Sequence, residues 1–300
     1  MNSFILIAVC IGAGYLLRRS GTLPRDLHKG INTWIIYLAL PAVSFKYLPG
    51  ITWSREMLIP ALAPLIVFGG GVLFGAWYGR FRKLDKPTTT GLQLAAGLCN
   101  TSFVGFPLIM AYFGEDKLPV AVICDQVTFL IFSVFGITLA VRGSGSHSLS
   151  LPMLLRKVAA FPPLIGCAAA LSLPALIDIT PLNPLFNTLA GTVAPLALFS
   201  IGLQLNFEGW RRDIRPMSAV LSYKLLLAPA LIYAVCLLLT DNIKDPVPQI
   251  AVFESAMPVL LSLSIVADEY RLNPTLINRL IGISILVSFV TSAGWWLVLR

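Results

Sequence analysis

Apolar residues fall in blocks of about twenty along the whole chain, separated by short polar stretches that carry most of the charge. Ten blocks can be marked, at residues 2–17, 31–48, 57–79, 89–113, 119–141, 157–177, 186–206, 217–240, 249–270 and 275–299. A helix rises about 1.5 Å per residue, so a block of that length crosses a hydrocarbon core of about 30 Å. The connections are too short to hold a soluble domain. The pattern predicts an all-α membrane protein with ten transmembrane helices.

Within the blocks, prolines recur at a near-constant offset. Pro41 in "YLALPAVSFKYL" matches Pro195 in "TVAPLALFSIGL", 154 residues on. Pro107 in "VGFPLIM" matches Pro258 in "SAMPVLL" at 151, and Pro119 matches Pro274 at 155. The chain therefore divides into two units of five helices, residues 1–141 and 157–300, joined by a polar Gly/Ser-rich linker at 142–156 that contains "RGSGSHSLS". Five is odd, so the second unit enters the membrane the opposite way up. Inverted repeats of this kind are typical of secondary transporters, whose sites lie at mid-membrane on discontinuous helices.

Composition sharpens this picture. The chain has 300 residues, 57% hydrophobic and 12% charged, with a mean hydropathy of +0.82. Its net charge of +8 would suggest a nucleic-acid partner in a soluble protein, but the distribution points elsewhere. Sixteen Lys and Arg follow the odd-numbered blocks, among them Arg18, Arg19, Arg25, Arg142, Arg156 and Lys157. Only Lys46, Arg55, Lys117 and Lys244 follow the even-numbered ones. That bias places the odd loops in the cytoplasm and both termini outside. No cation precedes the first block, the reverse of a cleavable signal peptide. The five cysteines lie inside apolar blocks without metal-ligand spacing and read as small packing residues.

Candidate chemistry sits where polar residues interrupt the blocks. Asn100, Thr101 and Ser102 precede Pro107 in the fourth block; Glu254, Ser255 and Met257 precede Pro258 in the ninth. A proline lacks an N–H and clashes with the preceding turn, so both helices should break near their prolines and cross. Freed backbone groups cannot face lipid and must line a polar, buried site. Half-helix N-termini there suit an anion, and half-helix C-termini suit a cation. The plainer alternative is that Asn, Thr and Ser only tie neighbouring helices together. Ionisable residues at membrane depth are functional by default. Asp125 and Gln126 in the fifth block are placed to share a cation site with Asn100, Glu254 and Ser255; Lys224 in the eighth is either a charge partner for the carboxylates or a snorkelling side chain. Arg279 reads as an interfacial anchor.

Five motifs, "IGAGYLLRRSG" at Ile11, "IIYLALPAVSF" at Ile35, "NTSFVGFPL" at Asn100, "APLALFSIGLQL" at Ala194 and "AMPVLLSLSIVADEY" at Ala256, resemble the auxin efflux carrier family in its short bacterial form. The likeness runs over nearly the whole chain. It implies a bacterial inner-membrane transporter of small organic anions, auxin-like, dicarboxylate or bile-acid-like, working by an elevator motion. Helices 1, 2, 6 and 7 would form a scaffold, and 3–5 with 8–10 a moving transport domain. The more distant bile acid:sodium symporters bind sodium through an Asn on helix 4 and a Glu on helix 9, which makes Asn100 and Glu254 candidate cation ligands here. The substrate would sit beside them, against Asn100, Thr101, Ser102, Pro107, Ser255, Met257 and Pro258. Sodium or a proton is the expected coupling ion, with no other cofactor or metal. Expected partners are the substrate anion, membrane lipids and a second copy docked through the scaffold. The chain lacks the long central hydrophilic loop of plant exporters, so their phosphorylation control does not transfer.

Other classes fit less well. Both histidines, His28 and His147, lie in loops, and no phosphate-cradling glycine motif or HExxH is present, which argues against an enzyme or an ATP-driven pump. A channel usually builds its pore by oligomeric symmetry or charged rings. A receptor or sensor on a transporter fold is the remaining alternative.

Overall fold

The computed structural model describes residues 2–24, 26–51, 53–145, 156, 159–205, 210–240 and 242–300. Arg25 and Lys157 of the basic loops, Asp241, and residues 146–155 of the expected linker with His147 lie outside them. Residues 142–144 of that linker are the last turn of a helix.

Among the described residues, each of the ten blocks is mainly helix. The elements are α1 (Asn2–Arg19), α2 (residues 27–47), α3 (Arg55–Arg82), α4 (Lys86–Gly97), α5 (Thr101–Tyr112), α6 (Glu115–Ser144), α7 (Pro162–Ala175), α8 (Thr180–Gln204), α9 (Arg211–Leu239), α10 (Pro246–Ser255), α11 (Leu263–Glu269) and α12 (Pro274–Leu299). Five of them, α3, α6, α8, α9 and α12, are long and apolar enough to cross a membrane. No strand occurs among the described residues. The fourth and ninth blocks are each split in two, as α4–α5 and α10–α11.

Three prolines within these helices are accommodated by widening the backbone, whereas Pro64 sits inside regular helix in α3. π turns occupy Ile35–Ala39, Thr101–Gly105 and Tyr223–Leu227, and each ends two residues before a proline, Pro41, Pro107 and Pro229. A proline cannot bond the carbonyl four residues back and its ring clashes with it. Those carbonyls belong to Tyr37, Phe103 and Leu225, the middle residue of each π turn, where the wider i→i+5 pattern carries the helix past the obstruction. A fourth π turn, Phe132–Gly136 in α6, has no such proline.

Small residues set the closest helix contact. A Cβ on Gly71 would lie 2.5 Å from Gly97 Cα, one on Gly75 2.7 Å from Gln93 Cα, and one on Gly79 2.5 Å from Thr89 Cγ2. The three glycines, four residues apart on α3, meet α4 in reverse order, as an antiparallel zipper requires. Two packing groups result. The α1 helix packs on the second half of α8, and α2 packs on α7 and α8. In the other group α3 contacts α4, α6, α9 and α10, while α12 contacts α4 and α11. Across the seam, α5 and α6 face the first group.

Candidate functional site

The two split helices meet at their breaks. The α4 helix ends at Gly97 and α10 at Ser255, and the extended residues that follow run antiparallel to each other. Asn100 N–H donates to Pro258 O at 2.9 Å, Leu260 N–H donates to Leu98 O at 3.2 Å, and Cys99 lies opposite Val259. Val259 N–H donates to Ser284 Oγ of α12 at 3.2 Å. Buried backbone groups must be paired, and here two remote segments pair each other at the crossing. The break expected near Pro107 is thus displaced. It lies at Leu98–Asn100, and Pro107 sits in the regular helix just after the π turn of α5. In the ninth block, Phe253 and Glu254 are still helical and the chain leaves the helix only after Ser255.

Around this crossing, polar side chains are buried without partners. Asn100 is 0% exposed and Glu254 2%, and neither the amide of the first nor either carboxylate oxygen of the second has a hydrogen bond. Asp125 Oδ1 accepts the Thr101 hydroxyl while its Oδ2 is unpaired. Gln126 Nε2 donates to Ser44 Oγ of α2 at 3.3 Å, across the seam, and its Oε1 is unpaired. The Ser255 hydroxyl is spent on Ala251 O of its own helix at 2.7 Å. Ser102, Pro107, Met257 and Pro258 are buried nearby in sequence. The Glu254 carboxylate packs on the π turn of α5, where a Cβ on Gly105 would be 2.5 Å from Oε2 and 2.7 Å from Oε1. A small cavity is lined by Pro64, Cys99, Thr101, Cys124, Thr128, Glu254 and Ser255.

Lys224 departs from both of its expected roles. It is 0% exposed, so it does not snorkel, and its ammonium donates to Cys99 Sγ at 2.8 Å rather than to Asp125 or Glu254. Cys99 is therefore more than a packing residue. Arg279 forms an ion pair with Asp213 of α9 at 2.6 Å. The sequence reading also missed Gly105, whose missing side chain makes room for Glu254, and Ser284, which caps a free N–H at the crossing.

Chemically, six buried polar atoms without partners are expensive, at about 1–3 kcal/mol each. Five of them are oxygens that can ligate a cation: both Glu254 carboxylate oxygens, Asn100 Oδ1, Asp125 Oδ2 and Gln126 Oε1. Carboxylates with amide oxygens are the donor set of a hard cation. A second space, of about 480 Å³, lies at the seam and is lined by Val43, Phe106, Met110, Leu118, Val193 and Ala194 with Lys46, Tyr47 and Glu115.

Comparison with known proteins gives a consistent result. A family model described as membrane transport protein matches residues 1–296. An uncharacterized transporter of Methanothermobacter thermautotrophicus is 28% identical, over 99% of this chain and 98% of its own. An uncharacterized transporter of Methanocaldococcus jannaschii is 26% identical, over 100% of this chain and 99% of its own. A Rhizobium meliloti protein named "Putative malonate transporter" is 26% identical, over 96% of this chain and 92% of its own.

Proposed function

Since this chain belongs to the membrane transport protein family, that of the auxin efflux carriers, we propose that it is a secondary transporter of a small organic anion driven by a cation bound at the helix crossing. The family and the apolar helices make it a multi-pass membrane protein of transport rather than of catalysis. The single observation carrying the finer reading is the set of unpartnered buried oxygens of Asn100, Asp125, Gln126 and Glu254 beside two broken, crossing helices. An unpaired carboxylate at membrane depth costs at least about 2.5–3.5 kcal/mol. A bound cation offsets that cost. Sodium suits the amide oxygens beside the carboxylates better than a proton does, because a protonated acid has no need of them.

In this reading α1, α2, α7 and α8 are the scaffold, and α3–α6 with α9–α12 carry the crossing as the moving body. All ten blocks span the membrane as two inverted repeats, with both termini outside the inner membrane and the scaffold available to a second copy. The substrate anion enters the seam cavity and reaches Asn100, Thr101 and Ser102 on one side and Ser255, Met257 and Pro258 on the other. A relative named for malonate supports a carboxylate of that size.

Thermal unfolding of purified protein in sodium against potassium tests the cation. Sodium at about a hundred times its Kd is expected to add about 2.7 kcal/mol to wild type, and nothing to Glu254→Gln. Stabilisation by acid instead, lost in the same variant, reassigns the site to a proton. Indifference to both ends the cation reading. Flux of labelled malonate and other small carboxylates into proteoliposomes tests transport itself, and binding without flux would make the protein a sensor.

A further inference from the structure

Lys46 and Tyr47 end α2 on one side of the seam, and Glu115 opens α6 on the other. Lys46 Nζ lies 2.7 Å from Glu115 Oε1, and the Tyr47 hydroxyl donates to the same oxygen at 2.8 Å. One carboxylate oxygen is thus held by an ammonium and a phenol from consecutive residues, a donor pair that suits any carboxylate. Host and guest differ in burial. The Lys46 side chain is 22% exposed and that of Glu115 59%, so the donors belong to the protein wall and the acceptor sits on the open side. Glu115 is turned there by Gly114, whose φ of 98° with ψ of 161° is accessible to glycine almost alone.

The position of the pair is informative. Lys46 lines the seam cavity of about 480 Å³ and also an outer groove of about 690 Å³, bounded by Phe45, Pro49, Pro174 and Asp178. It stands between the two spaces. Asp178 accepts the Thr180 N–H at 2.9 Å, and Lys117 is paired with Asp116 at 2.7 Å. An exposed ion pair holds two bodies together only weakly. The same weakness suits an exchangeable plug, because an arriving carboxylate replaces a carboxylate and keeps both charge and hydrogen bonds balanced.

We propose that Lys46 and Tyr47 form a carboxylate seat on the approach to the seam cavity, plugged in this state by Glu115 and taken over by the substrate's carboxylate. The proposal rests on the transporter reading above, and its test separates the two. Gly191 lines the same cavity and a Cβ there meets nothing within 4 Å, so Gly191→Cys is a reporter. Cys10 and Cys167, which are partly exposed, are replaced by alanine, and the three buried cysteines are kept. The rate of reporter modification is measured with anionic sulfonatoethyl and cationic trimethylammoniumethyl methanethiosulfonate, with malonate as competitor.

Glu115→Gln is expected to lower the malonate concentration for half-protection by about fivefold, and Lys46→Gln to raise it by about tenfold. Tyr47→Phe, which changes no charge, should raise it by about threefold. Half-protection within twofold of wild type in both Lys46→Gln and Tyr47→Phe overturns the seat, and weaker protection in Glu115→Gln overturns the plug. If malonate protects no variant and no carboxylate is carried into vesicles, the transport reading fails separately. The seat is then judged on the reagents alone: it stands if Tyr47→Phe slows the anionic and not the cationic reagent, and falls if both respond alike.

Discussion

Leucine in place of Gly75 is expected to disrupt the packing of α3 on α4 and to cost at least about 3 kcal/mol, the upper part of the range for overpacked cores. The cost is high because a Cβ at Gly75 meets Gln93 Cα and Cγ at 2.7 Å and Gln93 N at 2.8 Å, and main-chain atoms cannot swing aside as a side chain can. Separating the helices to make room would also part Gly71 from Gly97 and Gly79 from Thr89. Gly69 on the same helix is the control. A Cβ there meets nothing within 4 Å, so Gly69→Leu should stay within about 0.5 kcal/mol of wild type. Melting temperatures of detergent-purified protein, followed by size-exclusion chromatography after heating, compare the two. Equal losses at both positions would mean that the zipper carries no special role.

Gly105→Ala is expected to leave the fold standing and to remove the cation response proposed for Glu254. The added methyl would overlap the Glu254 carboxylate, with Oε1, Oε2 and Cδ all within 2.9 Å. Those atoms are the far end of a side chain, so the structure can yield at a cost of about 1–3 kcal/mol. What cannot persist is the carboxylate in its present place. In the transport reading proposed above, carboxylate uptake should fall by about a hundredfold, as expected when the group that positions a ligand is displaced by an ångström, and the proposed stabilisation by sodium should be lost. Shortening the acid relieves the overlap, so Gly105→Ala with Glu254→Asp should regain part of the sodium response. Uptake by Gly105→Ala at the wild-type level would remove Glu254 from the mechanism.

Much of this was legible in the sequence, for identifiable reasons. The blocks follow from apolar length, and Asn100, Asp125, Gln126 and Glu254 stand out because such residues are expensive in an apolar block. A proline announces that the helix cannot continue unchanged, but not how it changes. At Pro107 a π turn suffices, while the true interruption at Leu98–Asn100 exists because Pro258–Leu260 supplies backbone partners from far along the chain. No local pattern contains that information. Lys224 is similar: its sulfur partner on Cys99 is remote, and only the three-dimensional packing selects it over Asp125 or Glu254. In the sequence Lys46 and Lys117 are topology signals, because loop charges carry that statistical meaning, and nothing local announces the contact of Lys46 with Glu115. The glycines at 71, 75 and 79 were a readable signal of close helix approach, overshadowed by the polar and proline motifs.

The π turns bear on the length of the chain itself. A π turn holds one residue more than the α-helical path it replaces, so each marks a place where the protein carries a spare residue. Elsewhere in a helix, losing a residue rotates everything beyond it by about 100° and turns a buried face towards lipid. At Phe132–Gly136, where no proline demands the extra residue, deleting one should let α6 close into regular helix with both flanks facing as before. A single-residue deletion there is expected to express and fold, whereas deletion of Thr138, in the regular helix beyond, should not. At Thr101–Gly105 the same excision would drive Pro107 into the turn before it, so there the spare residue is fixed and the helix length of the transporter cannot drift.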